Sequence, residues 1–231
     1  MRRKWKLILS GANYATYNME FDEKRFRNAS NDIPSLRLFS WKKPSITIGY
    51  LQKKGLENLY KLACQHDVPV VRRPTGGRAV YHDREITYSI VLPPDDELFK
   101  MGNLEIYAEI ASVFKKALVS LGIPAVINQK GNLMGSSSRI LCFGSVSQSE
   151  IEVEGRKILG SAQRKADFGF IQQGSLLLRG TQSILEELEG YEKQPFTGIY
   201  EWIEETEGIK DKIIKVIINS FKEALYIEWE K

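Results

Sequence analysis

Segment 72–83, Arg-Arg-Pro-Thr-Gly-Gly-Arg-Ala-Val-Tyr-His-Asp, restricts the possible folds of this chain more than any other stretch. Its two adjacent glycines lack a Cβ, so the backbone can turn sharply there and a ligand can approach the N–H groups. A short apolar run, Val68–Val71, precedes the segment, and a strand-like run, Glu85–Leu92, follows it. The pattern predicts a binding loop between two strands.

The loop does not carry a nucleotide-binding or metal-binding signature. Neither G-x-x-x-x-G-K-[ST] nor G-x-G-x-x-G occurs, and a strand-like run rather than a helix follows Gly77. The chain has two histidines, His66 and His82, and neither belongs to a spaced set of metal ligands, so no metal is expected. The neighbours His82 and Asp83 form a pair that is either structural or catalytic, and the sequence leaves both interpretations open.

Composition limits the class of protein. The chain has 231 residues, of which 42% are hydrophobic, enough for a buried core. The 33 Lys and Arg residues outnumber the 29 Asp and Glu residues only slightly, so composition does not indicate nucleic-acid binding. Two cysteines are too few for a disulfide framework, and no apolar run approaches the roughly 20 residues of a membrane helix. A protein without a signal peptide or membrane segment, located in the cytoplasm, is expected.

Apolar periodicity predicts one mixed α/β domain over residues 1–231. Leu36–Trp41 and Ser45–Tyr50 alternate with period two around Lys42-Lys43-Pro44, which predicts a hairpin. Gly11–Asn13 is predicted to be a turn that leads into a helix ending at about Arg27. Further helices are predicted over Gly55–Asp67 and Leu104–Leu121, from Leu185, and over Ile209–Trp229. Further strands are predicted at Trp5–Leu9, Ala125–Ile127, Ile140–Phe143, Glu150–Val153, Arg156–Leu159 and Phe168–Leu178, the later ones as an antiparallel meander.

The two cysteines have different surroundings. Cys64 falls on the predicted buried side of helix 55–67, together with Tyr60, and is expected to be a small buried hydrophobe. Cys142 follows the Gly- and Ser-rich segment Asn128–Arg139, which is expected to be a mobile functional loop. A nearby cation such as Lys157 would favour the thiolate, so Cys142 is either a nucleophile or a structural thiol.

Several motifs in register resemble the lipoate-protein ligase and octanoyltransferase family, which shares the catalytic domain of biotin-protein ligases. They are Arg72–Asp83 with Thr87-Tyr88-Ser89, Asn18–Glu23, Gly49–Gln52 and Glu152–Gln163. The resemblance covers about Trp5 to Leu178. It implies an α/β (α+β) fold in which mixed, mostly antiparallel sheets are flanked by helices.

Within that family the sequence is more similar to the LipM-type octanoyltransferases than to the ATP-dependent ligases. Cys142-Phe143 falls where LipM-type enzymes carry their catalytic cysteine, and Arg78 replaces a glycine that is usual in the ligases. The stretch Gly160–Gln163 also resembles the corresponding stretch of the transferases. The resemblance therefore implies a cofactor-free acyltransferase of lipoate biosynthesis with Cys142 and Lys157 as catalytic residues.

The implied reaction takes an octanoyl group from octanoyl-acyl carrier protein to the lysine of a lipoyl-domain acceptor, such as the glycine-cleavage H protein. A thioester on Cys142 would be the intermediate, Lys157 would polarise the acyl carbonyl, and N–H groups around Gly76, Gly77 and Gly160 would stabilise the oxyanion. The substrate-binding residues implied are Arg72, Arg73, Thr75, Gly76, Gly77, Arg78, His82, Gly160, Ser161 and Ala162.

Three alternatives stay open at this point. The chain could be an ATP-dependent lipoate-protein ligase domain, or an octanoyl amidotransferase that uses acylated H protein as donor. A non-catalytic protein that binds acyl or acyl-carrier partners is the third. The ligase would require ATP, the amidotransferase would require acylated H protein as donor, and the binding protein would show no turnover.

Overall fold

The computed structural model describes residues 2–128, 150–180, 184–187 and 195–230. Its helices are α1 (Ala15–Arg27), α2 (Leu56–Gln65), α3 (Asn103–Ser120) and α4 (Ile209–Ala224). Its strands are β1 (Arg3–Asn13), β2 (Ser35–Trp41), β3 (Ser45–Ile48), β4 (Val70–Arg72), β5 (Val80–His82), β6 (Glu85–Leu92), β7 (Val126–Ile127), β8 (Ile151–Val153), β9 (Arg156–Ala166), β10 (Gly169–Leu177) and β11 (Ile227–Trp229).

The described strands form two sheets. The larger has the order β11-β1-β2-β6-β10-β9-β8-β7, and the smaller has the order β4-β3-β5. β1 pairs in parallel with both β11 and β2, whereas β2–β6, β6–β10, β10–β9, β9–β8 and β8–β7 are antiparallel. The expected meander and the mixed, mostly antiparallel character are therefore confirmed.

The main core lies between one face of the larger sheet and the helices α3 and α4. Even-numbered residues of β6, among them Ile86 and Tyr88, point into this core, where Tyr88 packs on Phe114 of α3. The odd-numbered residues Glu85, Thr87 and Ser89 are also buried, on the opposite face. That second face carries polar side chains beside α1 and the smaller sheet, and it holds the site described below.

The hairpin prediction for Leu36–Trp41 and Ser45–Tyr50 is wrong. β2 pairs with β1 and β6 in the larger sheet, whereas β3 pairs with β4 and β5 in the smaller one. The chain passes from one sheet to the other at residues 42–44. Period-two alternation did not separate these cases, because both strands are largely buried on both faces.

Two further expectations are corrected. The last helix ends at Ala224 instead of Trp229, and β11 then pairs in parallel with β1 after Tyr226 turns at φ +52°. Cys64 is exposed, because Leu59, Leu62 and Ala63 form the buried side of α2. Tyr60, one turn before Cys64, is exposed as well.

Other expectations agree with the structure. The strand Glu85–Leu92 has the expected bounds, and α3 ends just before Gly122, which adopts φ +83°. A tight turn at Glu154 and Gly155, with φ of +51° and +72°, joins β8 to β9. No helix among the described residues combines the length and apolarity needed to cross a membrane.

Candidate active site

A pocket lies where the two sheets and α1 meet. The space between its walls, including the part that is open to solvent, measures about 480 Å³. The larger sheet contributes residues from β2, β6, β9 and β10, the smaller sheet contributes residues from β3 and β5, and α1 contributes Met19. Apolar side chains such as Met19, Trp41 and Val80 share the lining with Lys157 and Glu150.

Lys157 is a buried cation in this pocket. Its Nζ donates to Glu150 Oε1 at 2.5 Å, and the side chains are only 7% and 4% exposed. A buried charge is costly without a partner, so the Glu150 carboxylate stabilises the ammonium in place. The Lys157 backbone is fixed as well, since its N–H donates to the Pro195 carbonyl and its carbonyl accepts from the Thr197 N–H. β9 therefore presents an oriented cation to the pocket.

Small residues of β9 and β10 leave room beside Lys157. Gly160, Ser161 and Ala162 line the pocket from β9, and Gly174 lines it from β10. A Cβ on Gly174 would lie 2.3 Å from the Tyr88 ring and 2.7 Å from Ser161 Oγ, so a larger residue would displace one of them. Gly174 therefore allows β10 to pack directly against Tyr88 and Ser161.

Tyr88 supports the same wall from the core side. Its hydroxyl is 2.7 Å from Ser161 Oγ and accepts a hydrogen bond from Gln172 Nε2 at 2.6 Å. Burial raises the pKa of Tyr88 to about 12, even though both hydrogen bonds act in the opposite direction. The phenol therefore remains neutral at physiological pH and serves as a hydrogen-bonding support.

His82 lines the pocket and its partner differs from the one suggested by sequence adjacency. His82 Nδ1 lies 2.9 Å from Glu85 Oε1, His82 Nε2 lies 2.8 Å from Thr47 Oγ1, and Asp83 is exposed. The His82 ring also stacks on Trp41 with 4.1 Å between centroids. The i,i+3 spacing of His82 and Glu85 across a turn brings them together, so the His82–Asp83 interpretation is corrected to His82–Glu85.

Glu85 is the centre of that cluster. Its Oε1 accepts hydrogen bonds from Trp41 Nε1 at 3.0 Å, Thr87 Oγ1 at 2.5 Å and Ser175 Oγ at 2.7 Å, in addition to its contact with His82. Burial alone would raise the pKa of Glu85, but its interaction with His82 and the hydrogen bonds from Thr87 and Ser175 together hold the pKa below its usual value. Glu85 is thus ionised at neutral pH and fixes His82 and Trp41 in the pocket wall.

The glycine loop, residues 73–79, is held from inside by Arg73. This buried side chain lines the pocket and donates to the carbonyls of Thr47, Gly76 and Arg78 at 3.2, 2.5 and 2.8 Å. It also donates to Thr47 Oγ1 at 3.1 Å, which links the loop to the His82 cluster. The guanidinium therefore determines the shape of the loop.

Both glycines of the loop have packing roles. The Gly76 N–H donates to the Gln163 carbonyl on β9 at 3.2 Å, so this N–H is bonded within the protein and is not directed at a ligand. Gly77 adopts φ +85°, and its carbonyl lies 1.9 Å from the position that a Cβ on Gly49 would occupy. The loop and the turn after β3 therefore approach each other more closely than any other residue at position 49 would allow.

Thr75 connects the loop to α1 through a buried chain of hydrogen bonds. Thr75 Oγ1 donates to Gln173 Oε1 at 2.8 Å, and Gln173 Nε2 donates to Asp22 Oδ2 at 2.7 Å. Asp22 in turn accepts from Arg37 Nη1 at 2.8 Å. Burial raises the pKa of Asp22 despite the opposing effects of Arg37 and Gln173.

Arg72 and Arg78 have less direct relations to the pocket. Arg72 is exposed, and its Nη1 donates to the carbonyls of Gly49, Tyr50 and Gln52 in the turn after β3. Arg78 is half-buried, and its carbonyl accepts from Arg73. Neither residue lines the pocket. Of the residues expected to bind substrate, Arg73, His82, Gly160, Ser161 and Ala162 line it with Lys157.

The expected nucleophile, Cys142, lies outside the described residues, as does most of the expected loop Asn128–Arg139 and the predicted strand Ile140–Phe143. Glu150, the first described residue after that gap, lines the pocket. Among the described residues, no three His, Cys, Asp or Glu side chains are arranged to hold a metal ion.

The sequence also matches a known family over most of its length. Residues 14–225 match the family described as the lipoyl protein ligase A/B catalytic domain. The chain belongs to this family. The family expected from the motifs is therefore confirmed, and the pocket is that of a lipoyl ligase-family domain.

Individual members of the lipoyl ligase family agree with this assignment. The chain is 36% identical over 180 residues to the octanoyltransferase LipM of Kyrpidia tusciae, a match that spans 75% of this chain and 66% of that protein. It is 32% identical over 241 residues to the octanoyltransferase LipM of Geobacillus kaustophilus, covering 98% and 85% of the two chains.

The fold of the lipoyl ligase family is found among solved structures as well. A bipartite lipoate protein ligase from Thermoplasma acidophilum superposes with a TM-score of 0.76 at 20% identity, over 99% of this chain and 86% of that one. At this identity the likeness shows the fold alone. The fold class expected from the sequence is confirmed.

Several lining residues were not identified as site residues from the sequence: Trp41, Thr47, Thr87, Glu150, Gln173 and Ser175. Glu85, which contacts the lining residues Trp41 and His82, was not identified either. The sequence contains a signal for Glu85 and Thr87. Glu85, Thr87 and Ser89 alternate with apolar residues in a strand whose surroundings are otherwise apolar. Such alternation is typical of a strand with one face toward solvent, whereas here it marks the buried polar face beside the pocket.

Proposed function

We propose that residues 1–231 act as one octanoyltransferase domain of lipoate biosynthesis. The donor is octanoyl-acyl carrier protein, the intermediate is a thioester on Cys142, and the acceptor is the target lysine of a lipoyl-domain protein such as the glycine-cleavage H protein. The observation that carries the proposal is the oriented, buried Lys157 in a partly apolar pocket. Membership of the lipoyl ligase family and relatives named octanoyltransferase LipM support it.

In the first half-reaction the Cys142 thiolate attacks the carbonyl carbon of the donor thioester. The Lys157 ammonium stabilises the negative charge that develops on the carbonyl oxygen, and the C–S bond to the donor breaks. The donor leaves as its thiol once it has taken up the proton that Cys142 gave up. The product is S-octanoyl-Cys142.

In the second half-reaction the neutral amine of the acceptor lysine attacks the Cys142 thioester. An amide forms, the C–S bond to Cys142 breaks, and the proton lost from the amine restores the Cys142 thiol. Both steps exchange one acyl bond for another, so they balance without ATP or an oxidant. Glu150 holds the Lys157 ammonium in the pocket through both steps.

The apolar part of the pocket suits a saturated acyl chain. Met19, Trp41, Val80 and Ala162 line it. Each methylene buried there is worth roughly 0.8 kcal/mol. Gly160 and Gly174, which have no side chain, line it as well.

The direct test is intact-mass spectrometry of the chain mixed with octanoyl-acyl carrier protein, followed by addition of apo H protein. We expect a single octanoyl adduct, localised to Cys142 by peptide mapping, that disappears as the acceptor gains the same mass. Cys142→Ser should abolish transfer, whereas Cys64→Ser, which alters the exposed thiol of α2, should retain it. Full activity of Cys142→Ser without any adduct on the wild type would rule out the thioester route.

The same assay distinguishes the other family activities. Modification of the acceptor by free octanoate or lipoate that requires ATP and Mg²⁺ would identify a ligase. Faster acylation of Cys142 by octanoyl-H protein than by octanoyl-acyl carrier protein would identify an amidotransferase. Stoichiometric binding of the donor without acyl transfer would identify a binding protein.

A further inference from the structure

A group of cationic side chains lies next to the glycine loop. We call Lys53, Lys54, Arg72 and Arg164 the cationic rim. Lys53 and Lys54 are exposed and follow the turn that begins at Gly49, and Arg72 is exposed at the end of β4. In the part of the chain that the structure describes, none of the four forms an ion pair with a carboxylate. Their charges are therefore available to a partner.

The contacts of the loop keep this rim together. Arg72 Nη1 donates to the carbonyls of Gly49, Tyr50 and Gln52 at 2.6, 3.1 and 3.1 Å, which fixes the turn that immediately precedes Lys53 and Lys54. The Arg164 guanidinium lies 3.5 Å from the centroid of the Tyr50 ring. The turn, the end of β4 and the outer part of β9 thus form one surface.

The rim borders the proposed active site. Arg164 is two residues beyond Ala162, which lines the pocket, and it donates to the Pro74 carbonyl of the glycine loop at 3.4 Å. Arg72 immediately precedes Arg73, another lining residue. A protein bound to the rim would therefore be close to Lys157 and the rest of the pocket.

Charge is unevenly distributed along the chain. Positive residues outnumber negative ones only by 33 to 29 overall, yet residues 49–56, 68–82 and 155–166 contain no Asp or Glu. These three stretches contribute the whole rim and much of the pocket. Such a local excess attracts an acidic partner and accelerates its association. Leu51, which is 76% exposed in the same turn, adds an apolar contact.

We propose that the cationic rim docks an acidic face of the acyl-donor protein. The inference rests on the proposed function. It assigns the rim to the donor and not to the acceptor, because the two proteins bring groups of different charge to the pocket. The donor brings an uncharged thioester to the pocket, whereas the acceptor brings a lysine that is cationic at neutral pH and is repelled by the rim and by Lys157. The rim therefore serves the first half-reaction.

The test separates the two half-reactions by single-turnover kinetics of K53E/K54E. Acylation of Cys142 by octanoyl-acyl carrier protein should slow by at least about tenfold at low salt, and the difference from wild type should shrink as salt rises. Acylation by octanoyl-pantetheine, a small uncharged donor, should stay within about twofold of wild type. K212E/K215E, on the exposed face of α4, is the matched control and should behave as wild type.

Every other outcome argues against the inference. Equal slowing with octanoyl-pantetheine would place the damage inside the pocket, and unchanged acylation by the carrier protein would show that the rim is not used. Normal acylation with slowed transfer to apo H protein would assign the rim to the acceptor. If wild type is acylated by neither donor, the proposed function itself fails, and the docking inference fails with it.

Discussion

The glycine loop and β9 both border the pocket, but they use their polar groups differently. Arg73 binds carbonyls of the loop itself, whereas Thr75 and the Gly76 N–H bind Gln173 and Gln163 of the larger sheet. β9 instead combines Lys157, held by one carboxylate at 2.5 Å, with small residues that leave space for a ligand. The comparison indicates that the arginine- and glycine-rich loop provides architecture, and that β9 provides the group suited to acyl chemistry.

The largest expected effect is on Lys157. Lys157→Met should lower kcat/KM for octanoyl transfer by about 10²–10³-fold, the usual loss when one donor to a developing oxyanion is removed. The measurement is acceptor modification under steady-state conditions. Lys215→Met on α4 is the exposed control and should leave the rate unchanged.

A stability measurement completes this test, because Lys157→Met also leaves Glu150 without the ammonium. The double variant Lys157→Met/Glu150→Gln removes that buried charge and should recover part of any loss in the free energy of unfolding while remaining inactive. Recovery of activity together with stability would show that Lys157 is structural, and the contrast between β9 and the loop would disappear.

The second prediction concerns the loop. Arg73→Met should lower the free energy of unfolding by about 2–4 kcal/mol, since the carbonyls of Gly76 and Arg78 lose a charged donor in a buried setting. Urea denaturation followed by fluorescence measures this change. Arg72→Met, which alters an exposed neighbour, should cost less. Wild-type stability with lost activity would make Arg73 a substrate-binding residue.

The sequence predicted the fold well where local patterns were sufficient. Glu85–Leu92, α3 with its stop at Gly122 and the Glu154–Gly155 turn all follow from periodicity and turn chemistry. Prediction from the sequence failed where pairing with a distant strand determines the secondary structure. The segment after Ala224 continues an apolar spacing, but β1 offers it an open edge, so Ile227–Trp229 become a strand.

The site shows the same limit. The motifs identified Lys157, His82 and Gly160–Ala162, because these residue types recur in the family pattern. They did not reveal Glu150 or Glu85, whose roles depend on which side chain lies opposite across a sheet or turn. Sequence adjacency favoured Asp83 as the partner of His82, whereas the turn directs Asp83 to solvent and Glu85 inward.

The third prediction concerns the pH dependence of the free energy of unfolding. It tests whether Glu85 anchors the loop through His82. The folded pKa of Glu85 lies below the ordinary value of 4.5, which holds in the unfolded chain. The carboxylate therefore stabilises the fold above that pH, and the contribution is lost as the pH falls through the folded pKa. Glu85→Gln should lower the free energy of unfolding at pH 7 by about 1–3 kcal/mol, with a smaller difference in acid.

Thermal melts from pH 7 to pH 3 measure this dependence. Asp83→Asn is the matched control, because it changes the exposed carboxylate next to His82. It should follow the wild-type profile. The opposite result would be an Asp83→Asn variant that loses the stabilisation and a Glu85→Gln variant that keeps it. That result would restore the His82–Asp83 interpretation and would show that Glu85 does not anchor the loop.

The smallest expected effect is at Thr75. Thr75→Val keeps the shape of the side chain but removes the hydroxyl that donates to Gln173 Oε1, so the free energy of unfolding should fall by about 1 kcal/mol. Gln173 lines the pocket and also donates to Asp22 and to Met19 Sδ, so its amide loses one of three contacts that hold it in place. Octanoyl transfer should then show a raised KM and an almost unchanged kcat. A kcat lowered as strongly as in Lys157→Met would instead place the Thr75 hydroxyl among the reacting groups, and the loop would share the chemistry with β9.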